Sequence, residues 1–139
     1  MTIALTDIGR CFEGEIPAML CTVSADGWPN LTHLSHVFRV DSDHVAASNQ
    51  FFEKTKRNLT DNPLGMIVVV DPLDLASYRL LVQYEGEETS GPTFETMRRS
   101  IDAIAALTGM SDVFALRSAE LFRVLDVELV RTRSAVAGG

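Results

Sequence analysis

The apolar positions of the chain fall into short runs separated by Gly, Pro and Asp, and their spacing switches between helical and alternating. Ile8, Cys11 and Phe12 share one face of the helical turns expected over Thr6–Phe12, which Gly14 and Pro17 stop. The apolar run Ala18–Ser24 reads as a strand. Asp26–Gly27 marks a hairpin, because glycine accepts the positive φ of such turns, and Pro29 suits the entry of the next strand. Asn30–Val40 reads as one long strand, Asp41–Asp43 as a turn and His44–Ser48 as a third strand. The chain is thus expected to open with a three-stranded antiparallel meander.

Phe52–Leu59 reads as a short helix ended by Asn62–Pro63. Leu64–Val70 is a Val- and Ile-rich strand closed by Asp71–Pro72. Over Tyr78–Glu85, Tyr78, Leu80, Val82 and Tyr84 alternate with Arg79, Leu81, Gln83 and Glu85, and Leu81 on the polar side implies partial cover of both faces. Gly86–Gly91 reads as a polar loop, with its acidic residues solvated. Pro92 opens a helix in which Phe94, Met97, Ile101, Ile104 and Ala105 recur at helical spacing through Leu107, with Gly109 as its C-cap. Val113–Leu116 and Leu121–Val130 predict two more strands, and the tail Ala135–Gly139 is expected to fray. Six or seven strands joined by tight turns, with one long and two short helices, predict a mainly β fold: a small antiparallel barrel with helices packed outside. Parallel α/β architecture does not fit, because helices do not alternate with strands.

Composition narrows the picture. With 139 residues the expectation is a single domain over 1–139, and 46% hydrophobic residues exclude a disordered chain. A formal net charge of −7 argues against non-specific nucleic-acid binding and against docking on anionic membranes. No apolar run approaches the roughly 20 residues of a membrane helix. Met1–Asp7 is too short and polar for the apolar region of a signal peptide, so a cytoplasmic protein is expected. Cys11 and Cys21 fit no zinc or redox spacing and read as free thiols.

Two stretches carry candidate chemistry. The first, Ser48–Asn58, gathers hydroxyl, amide and cationic groups where a strand passes into a helix. It includes Lys54 and Lys56, the only two lysines of the chain. Cations in a first helical turn oppose the helix dipole, whereas that end with Lys54, Thr55 and Lys56 offers what a phosphate needs. The second is Leu31–His36, where Thr32, Leu34 and His36 share one strand face and His33 and Ser35 the other. His33 and His36 therefore point apart, His44 completes no ligand set, and no metal site is expected. Trp28, in the hairpin turn, reads as a barrel cap or a dimer contact. Nucleophile-elbow, dinucleotide and P-loop motifs are absent.

As a set, Ile16–Thr22, Asp26–Pro29, Asp43–Ser48, Lys54–Leu59 and Asn62–Pro63 resemble the pyridoxamine 5′-phosphate oxidase-like family, the FMN-binding split barrels, over a core of about 12–130. The resemblance implies a homodimer with FMN held between subunits. It carries cofactor binding to Thr32, His33, Leu34 and Ser35 beside the ring and ribityl chain, to Ser48 and Asn49 at the strand end, and to Lys54, Thr55 and Lys56 at the phosphate. Arg79 is a further candidate. Thr55 stands where the family commonly has a lysine, and Thr32 where it often has an arginine. The Arg/His-rich C-terminal motif of the true oxidase is missing, which points away from pyridoxamine phosphate as substrate. What the resemblance implies is therefore an FMN-dependent oxidoreductase of another specificity. The alternatives are a non-catalytic flavin-binding sensor, or the same barrel holding deazaflavin F420 or haem. No catalytic acid or base is assigned.

Overall fold

The computed structural model describes residues 3–49, 53–108, 116 and 118–131. A 3₁₀ segment, Leu5–Phe12, precedes strands β1 (Ala18–Val23), β2 (Pro29–Leu34), β3 (Val37–Arg39) and β4 (His44–Asn49). Helix α1 (Glu53–Asp61), strands β5 (Leu64–Val70) and β6 (Ser77–Glu88), helix α2 (Pro92–Thr108) and strand β7 (Ser118–Arg131) follow. All seven strands form one antiparallel sheet in the order β2-β1-β5-β6-β7-β4-β3, curled into a half-barrel. The mainly β barrel read from the sequence is what the chain forms.

The expected meander is corrected. Asn30–Val40 is not one strand: it breaks at Ser35–His36, and its two halves lie at opposite edges of the sheet. β2 pairs with β1, Ala18 opposite Leu34, while β3 pairs with β4, Val37 opposite Ala47. The cause is a slip in the alternation. Asn30, Thr32 and Leu34 face inward, but the next inward residue is Val37, an odd step that a continuous strand cannot make. His36 fills the break: its Nε2 donates to the Phe12 carbonyl at 2.7 Å, and its ring stacks on Phe38 with centroids 3.8 Å apart. Gly14 packs against that ring in the left-handed region (φ +80°), where an added Cβ would stand 2.7 Å from His36 Nδ1. One connection thus links both edges of the sheet and curls it.

The interior is filled by the inward side chains of every long strand, among them Leu20, Val45, Ile67, Leu80, Val82 and Phe122, with Leu5 and Ile8 of the 3₁₀ segment closing one side. That segment is pinned by Arg10, whose Nε and Nη2 donate to both Asp71 carboxylate oxygens at 2.7–3.1 Å. Helix α2 lies on the outer face, where Phe94 and Met97 pack on Ala46 and Ala119. Two alanines at that contact let the helix approach the sheet closely. Ile101 is buried as its spacing predicts; the side chains of Ile104 and Ala105, residue Phe52, and the segments 109–115 and 132–139 fall outside the described residues.

Strand β6 also departs from expectation. It does not stop at Glu85 but runs to Glu88, because Gly86 (φ +120°) absorbs a register shift and lets pairing resume, with Glu87 opposite Glu120 and Glu88 opposite Ala119. The acidic run read as a solvated loop is therefore ladder, and one of its carboxylates reaches the site described next.

Candidate functional site

Helix α1 is fastened to the half-barrel through polar side chains. Thr55, Asn58 and Leu59 form its buried face at helical spacing. The Thr55 hydroxyl, 1% exposed, lies 2.7 Å from that of Thr32 and accepts from Asn30 Nδ2 at 3.2 Å. Asn30 Nδ2 also reaches Thr32 Oγ1 at 3.3 Å. One turn on, Asn58 Nδ2 donates to Thr22 Oγ1 at 3.1 Å. The helix is thus seated on β1 and β2 by neutral hydroxyl and amide groups. Thr32 and Thr55, separate readings in the sequence, are direct partners in space.

The next side chain, Lys56, turns to the β6–β7 ladder. Its Nζ lies 2.8 Å from Glu120 Oε1 and is also paired with Glu87. Glu120 is fully buried and further accepts from the Tyr84 hydroxyl at 2.7 Å and from Ser118 Oγ at 3.2 Å. Burial by itself lowers the Lys56 pKa, but the hydrogen bonds to Glu120 and Glu87 outweigh it and hold the ammonium above its ordinary value. The Lys56 pairing holds Glu87 below the usual carboxylate range. Tyr84 is pushed up, first by burial and then by its bond to Glu120, so it stays a neutral donor.

The other residues singled out in the sequence scatter around this centre. Lys54 is exposed on α1, and His33 and Ser35 are exposed at and just beyond the end of β2. The Leu34 side chain is buried in the core, which leaves its backbone as the part able to meet a ligand. Ser48 is buried in β4 opposite Ala119, one position from Glu120, and Asn49 stands opposite Ser118. Arg79 pairs with Glu128 across β6–β7. Sequence reasoning missed Asn30, Tyr84 and Glu120 and misplaced Glu87. The one available signal was a lone glutamate at the apolar start of the last strand.

A second polar cluster lies on the β3–β4 turn. His44 Nδ1 is 2.9 Å from both Asp41 and Asp43, and its Nε2 is 2.8 Å from Glu85 of β6. The hydrogen bond to Asp41 leads the effects that raise the His44 pKa, against a smaller lowering by burial. Ligand atoms of Asp41, Asp43 and His44 lie within 4.8 Å of one another. The arrangement equally suits a protonated imidazole among three carboxylates. Cys11 and Cys21 are free, and burial pushes the Cys11 thiol up to about 11. No helix among the described residues is long and apolar enough to cross a membrane.

A curled antiparallel sheet whose edges are joined by one broken strand, with a short helix seated polar-side-down across β1 and β2, defines a split-barrel protein. The model of the pyridoxamine 5′-phosphate oxidase family matches residues 7–133, and the chain belongs to that family. Among solved structures, it is similar to an FMN-binding protein from Syntrophomonas wolfei subsp. wolfei, with 17% identity over 89% of this chain and 83% of that one, at a TM-score of 0.74. It is also similar to HutZ, a haem storage protein from Vibrio cholerae (16% identity, 93% and 95% covered, TM-score 0.60). An F420 reductase aligns at 15% identity, 85% and 93% covered, with a TM-score of 0.57. At these identities the likeness is one of fold. No curated protein matches the sequence significantly.

Proposed function

We propose that the chain is an FMN-binding oxidoreductase that acts on a substrate other than pyridoxamine phosphate. The observation that carries the reading is the hydroxyl–amide cluster of Asn30, Thr32 and Thr55 at the junction of β2 and α1, in a chain of this family. Its half-buried members, Asn30 and Thr32, suit the hydrogen-bonding edge of a flavin ring and its hydroxylated chain, with the buried Thr55 holding them in place. Bound FMN supplies hydride and electron transfer; the protein supplies binding, orientation and exclusion of water. Around the ligand stand Thr32, His33, the Leu34 backbone, Ser35, Ser48 and Asn49. Lys54 is the exposed cation closest in sequence to this cluster.

The proposal includes a homodimer in the cytoplasm. The support for the dimer is the outer face of β1, β5 and β6, which α2 does not cover: Val23, Leu64 and Leu81 are exposed there, beside an open apolar depression of about 300 Å³ that Cys21 and Met66 also line. A second reading, haem or deazaflavin F420 in the same barrel, draws on the solved relatives named for those ligands.

The absorption spectrum of the freshly purified protein tests the reading. Bands near those of free FMN are expected, and anaerobic NADH or NADPH should bleach them. A Soret band or a deazaflavin spectrum supports the second reading. A colourless protein that takes up no added flavin defeats the first.

A further inference from the structure

The charge beside α1 is the reverse of what the helix sequence promises. Three cations lie on α1, and the two exposed ones, Lys54 and Arg57, stand in solvent. Lys56, the partly buried one, faces two carboxylates. Glu120 grips it from the buried side at 2.8 Å and is itself anchored by Tyr84 and Ser118. Glu87 covers it from the solvent side, with its side chain 46% exposed. The two glutamates are also directly opposed in the β6–β7 ladder, set there by the Gly86 bulge. Like charges so placed repel unless a cation offsets them, and Lys56 contacts both. Among the described residues, this trio sets one positive charge against two negative ones. A phosphate dianion arriving at Lys56 meets Glu87 first, and it has to compete with two carboxylates already hydrogen-bonded.

We infer that Glu87 and Glu120 withhold Lys56 from anionic ligands, so that the site takes a flavin by its ring and hydroxylated chain and gains little from a terminal phosphate. Glu87 is the residue that sets this discrimination. The inference rests on the flavin reading above and deepens it. Lys54 and Arg57 remain as exposed, solvent-screened cations, and each contributes about threefold or less.

The test titrates riboflavin and FMN into the full-length protein and into Glu87→Gln, following quenching of flavin fluorescence. Glu87 is half-exposed, so its amide variant keeps the fold. The wild type is expected to prefer FMN over riboflavin by less than about tenfold. Glu87→Gln, which frees one side of the Lys56 ammonium, is expected to raise that preference by about fivefold or more and to leave riboflavin affinity unchanged. A wild-type preference above tenfold, or one that Glu87→Gln does not change, overturns the inference. If neither flavin binds, the flavin reading has failed, and inorganic pyrophosphate decides the remaining question by calorimetry. Binding to Glu87→Gln but not to the wild type supports withholding; the same response from both proteins overturns it.

Discussion

Removing the ammonium from the Lys56–Glu120 pair is the sharpest probe of how α1 is fastened to the barrel. Lys56→Met keeps most of the aliphatic stem and deletes only the charge. It removes the Lys56 ammonium from Glu120, which is 0% exposed. Breaking a fully buried pair costs about 3–5 kcal/mol. Two features of the structure reduce that here: the Lys56 side chain is 28% exposed, and Tyr84 and Ser118 still donate to the Glu120 carboxylate. The expected loss is about 2–3 kcal/mol. For a chain of this size that lowers Tm by roughly 6–12 °C. Glu120→Gln in the same background removes the buried negative charge, so the double variant should recover about 1–2 kcal/mol relative to additivity. Urea unfolding followed by far-UV circular dichroism is the suitable assay, since Trp28 is 74% exposed in its turn and reports poorly on the core. A Lys56→Met loss below about 0.5 kcal/mol, or strict additivity in the double variant, would refute the reasoning.

Other perturbations probe separate elements. Gly14→Ala should cost about 2–3 kcal/mol in urea unfolding, because it forces a side chain into the left-handed region against the His36 ring, whereas Gly9→Ala, with nothing within 4 Å of its new methyl, should change stability little. Asp41, Asp43 and Glu85 hold the His44 imidazolium above the ordinary histidine value of 6.5, so its contribution is complete below about pH 6.5 and fades as pH rises through the raised folded value. Tm measured from pH 5 to 9 should therefore fall more steeply in the wild type than in His44→Gln, and parallel profiles would refute a stabilising His44 imidazolium. Leu81→Asp, on the exposed face of β6, should convert the proposed dimer to monomer in sedimentation velocity while leaving the circular dichroism spectrum unchanged; a wild type that sediments as a monomer removes the premise.

Much of the architecture was legible in the chain because it rests on local rules. The alternation in Tyr78–Glu85, the Asp26–Gly27 turn and the Phe94–Met97–Ile101 stripe each specify an element through the spacing of apolar residues, and the elements form where that spacing puts them. The family, too, was readable, as an ordered set of short motifs. Tertiary structure decided which groups meet. Nothing local says that Asn30–Val40 must divide between two edges of one sheet, since the one-residue slip at Ser35–His36 matters only once Leu34 and Val37 must both reach the core. Nothing local brings Glu87 opposite Glu120, which depends on a bulge at Gly86 and on pairing across more than thirty positions of chain. Lys54, Thr55 and Lys56 lie near the start of α1, as read, but the charge that surrounds Lys56 was not legible. A single helix turns adjacent residues to different faces, and only the packed barrel shows that Thr55 meets Thr32 while Lys56 meets two carboxylates.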